Sequence, residues 1–246
     1  MRILRPVNDD FMSTQLPDRA PTRASMVYER LRHDILNGRL EPGRRLRMKA
    51  LKERYDVGHS PLREALNRLT ASGLIDQVDG KGFQVSITSA DELQELITTR
   101  CWLEEIALRR SISAGDAAWE ERVLLACHRL SKLPRAIDEH PFQSSPDWDK
   151  QHGEYHTALI SACGSRILIG YCEQLHERML RYRSLAAAVA RKKRSTKDEH
   201  QAIQDAALDR DSDLAVELLT AHYRKTGKIV ASTRPLDTRS VDWDDG

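Results

Sequence analysis

The sequence predicts a mainly α-helical protein with two domains, an N-terminal winged helix-turn-helix and a C-terminal all-α antiparallel helical bundle. Residues 24–88 carry three helical patterns followed by a hairpin signal, whereas residues 89–231 carry helical patterns only. A length of 246 residues suits two modest domains. Because no apolar run approaches the ~20 residues that cross a bilayer, we expect a cytoplasmic protein without a membrane segment.

The first two helices of the N-terminal domain follow from the spacing of apolar residues. Helical spacing begins near Ala24: Val27, Leu31 and Ile35 recur every four positions, which places them on one helix face, and Gly38 supplies a stop signal. Residues 41–43 read Glu-Pro-Gly and predict a turn. A short helix is then expected over residues 49–55.

The third helix and a β-hairpin complete this domain. Ser60 is the expected N-cap of the helix, and Pro61 suits its first turn. Residues 75–78 and 83–87 predict two strands, which the turn Asp-Gly-Lys-Gly at 79–82 joins. Three helices followed by a hairpin are typical of a winged helix.

The chain ends and one internal segment lack these patterns. Residues 1–23 predict a flexible arm, and residues 232–246, which include an acidic run, predict a disordered tail. Residues 134–146 predict a break between helices of the bundle. The four cysteines form no C-x-x-C pair and lie among apolar neighbours, so we expect buried, reduced thiols.

The charge of the chain is unevenly distributed. The net charge is only +2, but residues 23–81 hold thirteen lysines and arginines against eight aspartates and glutamates. This surplus indicates that the N-terminal domain contacts a polyanion.

The exposed start of the third helix is the predicted DNA-reading element, because a recognition helix enters the major groove with its N-terminal end. Arg63 can make a bidentate contact with guanine, and Ser60 suits a phosphate. Other expected contacts lie at the preceding helix and at the wing tip: Arg47, Lys49, Gly80 and Lys81. For any one of these residues alone, a solvated surface position is the alternative.

A motif in this domain resembles the GntR-type regulators. It comprises Leu36-Asn37-Gly38-Arg39-Leu40-Glu41-Pro42-Gly43, Leu46, Pro61-Leu62-Arg63-Glu64-Ala65-Leu66, Leu69, Gly73-Leu74 and the Gly-Lys-Gly wing. The resemblance implies operator DNA as a partner, a homodimer, and DNA contacts at Lys49, His59, Ser60, Arg63 and Gly80. His59 stands where the family generally has a DNA-reading arginine, which implies a different operator.

Four histidines of the C-terminal domain carry its most informative pattern. His152 and His156 are four residues apart and share an apolar helix face, while His200 and His222 lie on the apolar stripes of two later helices. Imidazoles that point inward are costly to bury unless they are paired, and one metal ion would satisfy all four. Ordinary packed histidines are the alternative.

Residues 91–231 resemble the ligand-binding domain of the FadR branch of that family, called the FCD domain. The resemblance implies a metal held by His152, His156, His200 and His222. The family usually has Asp or Asn at the first of these positions, so four imidazoles imply zinc or nickel rather than manganese. It also implies a small carboxylate effector near Arg100, and Arg181 and Arg183 are further candidate contacts. For all three arginines, a surface ion pair is the alternative.

A narrower resemblance is carried by Leu46-Arg47-Met48, Pro61-Leu62-Arg63-Glu64-Ala65-Leu66, Leu130-Ser131-Lys132-Leu133, His152 with Tyr155-His156-Thr157-Ala158, Cys163-Gly164-Ser165 and Arg181-Tyr182-Arg183. These segments are similar to glutarate-responsive repressors of this family, which implies a dicarboxylate such as glutarate as the effector. The sequence thus predicts a DNA-binding repressor that a small carboxylate releases. A metal-dependent hydrolase is disfavoured, because no H-E-x-x-H motif is present and Glu154 lies off the face of His152 and His156. A regulator with a purely structural metal is the remaining alternative.

Overall fold

The computed structural model describes residues 21–139, 142–187 and 196–233. The N-terminal domain contains α1 (Arg23–Leu36), β1 (Arg45–Leu46), α2 (Met48–Tyr55), α3 (His59–Ala71), β2 (Ile75–Val78) and β3 (Gly82–Val85). Its three strands form an antiparallel sheet in the order β1-β3-β2. The winged helix is therefore confirmed. Strand β1 was not predicted, because two residues are too short to show an alternating pattern.

Local chemistry sets the turns of this domain. Thr22 caps α1 by accepting a hydrogen bond from the amide of Ser25, so the helix begins just before the predicted position. Asp56 ends α2 in the left-handed region at φ +50°. Gly80 and Gly82 also have positive φ in the wing, where side chains with a Cβ would be strained. The core lies between the helices and the sheet and includes Leu31, Leu62 and Leu66.

The C-terminal domain is a bundle of long helices with one small hairpin. The helices are α4 (Ala90–Ala114), α5 (Ala117–Lys132), α6 (Pro146–Ile160), α7 (Arg166–Ala187), α8 (Thr196–Leu208) and α9 (Ser212–Thr233). The hairpin pairs β4 (Ala136–Glu139) with β5 (Phe142–Ser144). The hairpin lies in the predicted break between helices at residues 134–146. It was not itself predicted, because its strands are too short and irregular to show alternation.

The core of the bundle contains large buried aromatic side chains, among them Trp119, Tyr155 and Tyr182. The four cysteines are buried and free, as expected. In the part of the chain that the structure describes, no helix combines the length and apolarity needed to cross a bilayer. The predicted arm and acidic tail fall almost entirely at residues 1–20 and 234–246, which lie outside the described residues.

Helix α7 joins the two domains. Glu177 accepts two hydrogen bonds from Arg32 of α1, and Leu180 belongs to the apolar core of the N-terminal domain. Arg181 donates to the carbonyl of Gly73, just after α3, and pairs with Glu92 at the start of α4. One face of α7 is thus part of the N-terminal domain, while the rest of the helix lies in the bundle.

Candidate functional site

The N-terminal end of α3 is exposed, as a recognition helix requires. His59, Ser60 and Arg63 are exposed, and they line a shallow depression along the helix. Gly58, not Ser60, is the N-cap residue, which corrects the expected cap. Because glycine has no side chain to occupy the first amides of α3, those amides and the hydroxyl of Ser60 are available to a phosphate.

The other predicted DNA contacts are also exposed. Arg47 is the N-cap residue of α2, Lys49 lies in its first turn, and Gly80 and Lys81 form the tip between β2 and β3. Among the residues that the structure describes, Arg63 forms no salt bridge. Its guanidinium is therefore available for an external partner.

Several arginines of the same domain have structural roles instead. Arg54 pairs with the buried Asp34, Arg30 donates to the carbonyl of Tyr55, and Arg68 lies over the ring of Tyr28. The uneven charge seen in the sequence thus overstates the number of cations that can contact DNA.

The four predicted histidines converge in the bundle core. His152 and His156 on α6, His200 on α8 and His222 on α9 each place a ring nitrogen within 4.8 Å of the others, and all four side chains are buried. The Nε2 atoms of His152 and His156 are 3.1 Å apart. Nitrogens that bind the same zinc ion lie about 3 Å apart, because each is about 2 Å from the metal.

Neighbouring side chains orient three of these rings. Nδ1 of His222 lies 2.9 Å from a carboxylate oxygen of Glu199, and Nδ1 of His156 lies 2.9 Å from the hydroxyl of Tyr223. Tyr223 in turn donates to Glu104. Nδ1 of His152 lies 3.0 Å from a guanidinium nitrogen of Arg183. Carboxylates behind metal-binding imidazoles are a common arrangement, because they fix the tautomer and the ring orientation.

The environment of His152 and His156 favours the neutral form of both rings. Burial lowers the pKa of His152 well below its usual value, and Arg183 and His156 lower it further. The pKa of His156 is lowered in the same way, by burial and then by His222 and His200. Since the neutral imidazole is the form that binds a metal, the donor set fits a divalent ion that prefers nitrogen ligands.

A small cavity adjoins the cluster. Its volume is about 20 Å³, and Arg100, Trp148, His152, Arg183, His222 and Tyr223 are among the residues that line it. Arg100 is buried, pairs with Glu104 at 2.7 Å and lies over the ring of Tyr223. Arg183 also contacts Asp149. Arg100 of α4 and Arg183 of α7 therefore both line the cavity, as does Arg135.

Arg181 does not lie at this cavity. It is fully buried at the domain junction, where it contacts Glu92 and the carbonyl of Gly73. The expected role of Arg181 as an effector contact is therefore corrected. Residues two apart on a helix point in clearly different directions, so Arg181 and Arg183 face different parts of the molecule.

A larger cleft of about 920 Å³ opens between the bundle and α1. His156, Arg100 and Glu104 line its inner end, together with His176 of α7. The sequence did not predict functional roles for His176, Tyr223 and Glu104. Each lies on an apolar helix stripe, where a core position is the ordinary interpretation, and only the proximity of Tyr223 to His222 could have indicated a role.

Comparisons with protein families divide the chain as the structure does. Residues 23–85 match the family described as "Bacterial regulatory proteins, gntR family", and residues 95–225 match the FCD domain. The HTH-type transcriptional regulator BphR of Paraburkholderia xenovorans is 40% identical over 83% of this chain and 83% of its own. The HTH-type transcriptional repressor GlaR of Escherichia coli is 35% identical over 79% of this chain and 90% of its own.

Solved structures share the fold. McbR/YncC of Escherichia coli superposes with a TM-score of 0.68 at 20% identity, covering 86% of this chain and 98% of its own. A GntR-type regulator from a Rhodococcus species superposes with a TM-score of 0.66, also at 20% identity, over 86% of this chain and 99% of its own. At these identities the likeness concerns the arrangement of the two domains.

Proposed function

The chain belongs to the GntR family of bacterial regulatory proteins with an FCD domain, and on this premise we propose that it is a cytoplasmic repressor that a small carboxylate releases from operator DNA. Its relatives are DNA-binding transcription regulators, not enzymes. The repressor GlaR, at 35% identity, supports repression as the direction of control.

One observation carries the sensing part of this proposal. The buried imidazole cluster and the guanidinium groups of Arg100 and Arg183 border the same small cavity. Burying a carboxylate is costly unless positive charge and hydrogen-bond donors surround it. The two arginines supply both, and they lie in a domain that contacts the DNA-binding domain through α7.

A divalent ion, zinc or nickel, would be held by His152, His156, His200 and His222. When bound, it would supply a concentrated positive charge beside the cavity and so favour a carboxylate there. Arg100 and Arg183 would hold the remaining oxygens of the carboxylate through charge-assisted hydrogen bonds. Glu199 and Tyr223 would hold two of the four imidazoles in place.

A homodimer is part of the proposal. A single winged helix makes a small interface with DNA, and specific operators are usually read as two half-sites by two recognition helices. A carboxylate effector would then act by changing the separation or orientation of the two recognition helices.

The proposed effector is a small dicarboxylate, glutarate first. The test uses an operator fragment selected in vitro from random DNA and the metal-loaded protein at fixed salt. Glutarate and related dicarboxylates are titrated against the complex and operator affinity is followed by fluorescence anisotropy. Release by one of these acids is expected; an operator affinity that none of them changes would overturn the proposed sensing function.

A structural metal without an effector is the second candidate. The observation that favours it is the size of the inner cavity, which at about 20 Å³ has room for a single water molecule. Thermal unfolding separates the two functions. A structural ion raises Tm by itself, whereas an effector site gives a further rise when the acid is added to the metal-loaded protein.

A further inference from the structure

His176 is a buried imidazole that has no polar partner among the residues the structure describes. It lies on α7 and is only 9% exposed. Neither of its ring nitrogens has a hydrogen-bond partner among the described residues. His152, His156 and His222, by contrast, each have one. Leaving a buried polar atom unsatisfied is unfavourable, so His176 is a candidate to bind a ligand.

The ring of His176 stands between the cluster and the larger cleft. Its centroid is 5.5 Å from that of His152 and 6.1 Å from that of His156. The side chain also lines the 920 Å³ cleft, whose inner end includes Arg100. A molecule held at the imidazole cluster could therefore extend past His176 towards the cleft.

Gly153 of α6 makes room for this ring. A Cβ atom at that position would lie 3.2 Å from Nε2 of His176, closer than an ordinary contact. A glycine within a helix costs about 1 kcal/mol relative to alanine. Helix α6 thus has a glycine, which lowers helix stability, at the position where the ring of His176 packs against it.

Arg100 lines the same cleft as His176 and places a positive charge there. A positive charge at that position offsets the cost of burying a carboxylate. A neutral imidazole keeps one N–H donor, which suits a carboxylate oxygen.

We infer that His176 binds the second carboxylate of a dicarboxylate whose first carboxylate is held at the imidazole cluster. This inference rests on the proposed effector function. It makes His176 the residue that distinguishes dicarboxylates from monocarboxylates. Its neighbour Glu177 bonds Arg32 of the DNA-binding domain, so the contact is made on the helix that joins the domains.

The test compares glutarate with pentanoate, which has the same carbon chain but one carboxylate. Calorimetric titration measures the ratio of their affinities for the metal-loaded protein. We expect wild type to bind glutarate more tightly than pentanoate. In His176→Phe the ratio of the two affinities should fall by at least about tenfold, or about 1.4 kcal/mol. His176→Gln, which keeps an N–H donor, should restore part of it. His128→Phe, at an exposed histidine of the same domain, is the matched control.

A second pair of variants leaves His176 itself intact. Gly153→Ala should displace the ring and lower glutarate affinity, whereas Gly170→Ala, where a Cβ would meet nothing within 4 Å, should not. Metal content and operator binding verify that each variant is folded. The inference is overturned if His176→Phe and Gly153→Ala both keep the wild-type preference for glutarate. If neither acid binds wild type, the proposed effector function fails, and the His176 subsite fails with it.

Discussion

Arg32 and Glu177 form a bidentate ion pair across the domain junction, with Nε and Nη2 of Arg32 each 3.1 Å from a carboxylate oxygen of Glu177. Arg32 lies on α1, which packs against the recognition helix, and Glu177 lies on α7 beside His176. Leu180 and Arg181 extend the same junction one turn further along α7. A rotation of α7 would therefore move the recognition helix relative to the bundle.

Glu177→Gln should weaken the coupling between effector and operator. The pair is partly exposed, so its contribution is at most about 1 kcal/mol, or about fivefold in the ratio of operator affinities with and without glutarate. Because the two residues act together, Arg32→Gln added to Glu177→Gln should cause little further loss. Glu173→Gln, at an exposed position one turn earlier on α7, is the control. If the losses of coupling caused by Arg32→Gln and Glu177→Gln simply add, the ion pair does not couple the effector site to the operator.

The sequence predicted most of the fold, because apolar periodicity identifies helices that are half-buried. It failed where the signal was too short, as in β1 and in the β4–β5 hairpin. It also failed where a cap depends on backbone geometry: Ser60 looked suitable, but the chain turns at Gly58.

The candidate site was predicted only in part. The four histidines stood out because imidazoles on apolar stripes need partners. Arg181 and Arg183 looked equivalent in the sequence, since nothing local tells which one faces the bundle. The junction formed by Arg32 and Glu177 could not be predicted, because it joins residues 145 positions apart.

Arg63→Ala should weaken operator binding by about 1–3 kcal/mol. Arg63 is exposed at the start of α3 and, among the described residues, forms no salt bridge, so the substitution costs the fold little. Anisotropy titrations at several salt concentrations measure the loss and separate a base contact from a phosphate contact. Arg129→Ala makes the same change in net charge on the bundle and should bind operator as wild type does. Unchanged affinity in Arg63→Ala would rule out the assigned recognition surface.

Asp34→Asn should destabilise the winged helix by about 2 kcal/mol near neutral pH, because Asp34 accepts hydrogen bonds from Arg39, Arg54 and Tyr55. Burial alone would raise the pKa of Asp34, but the hydrogen bond from Tyr55 and the charge of Arg54 outweigh it, and the pKa is lowered.

The stability that Asp34 contributes is therefore fully present above the ordinary aspartate pKa of 3.8 and is lost as the pH falls below that value. Urea unfolding should show a gap between the free energies of unfolding of wild type and Asp34→Asn near neutral pH, and this gap should close in acid. Asp76→Asn, at an exposed strand position, should show no gap. A gap that is the same at both pH values would contradict this account.

Glu199→Gln should lower metal affinity by about 10–100-fold. The carboxylate of Glu199 lies 2.9 Å from Nδ1 of His222 and fixes the ring with its other nitrogen towards the cluster. Competition with a chromophoric chelator measures the affinity for zinc. Glu217→Gln, at an exposed position on α9, is the control. Equal zinc affinity in both variants would mean that Glu199 does not support a metal site.

Arg183 should lower the affinity for the metal and raise the affinity for the acid. A guanidinium can only donate hydrogen bonds, so Nδ1 of His152, 3.0 Å from Arg183, must accept. The neutral ring then carries its proton on Nε2, the nitrogen that faces His156 at 3.1 Å. A nitrogen needs its lone pair to bind a metal, so metal binding through Nε2 requires the other tautomer and the loss of this hydrogen bond.

Arg183→Met should therefore bind zinc more tightly, by about tenfold for one released hydrogen bond. The same variant should bind glutarate at least about tenfold more weakly, because it loses a charge-assisted contact to the carboxylate. Chelator competition and calorimetry on the same preparation give both affinities. Arg166→Met, at an exposed position at the start of α7, should change neither. If Arg183→Met instead lowers both affinities, Arg183 stabilises the metal site. The two affinities change in opposite directions only if the hydrogen bond from Arg183 to Nδ1 of His152 opposes metal binding.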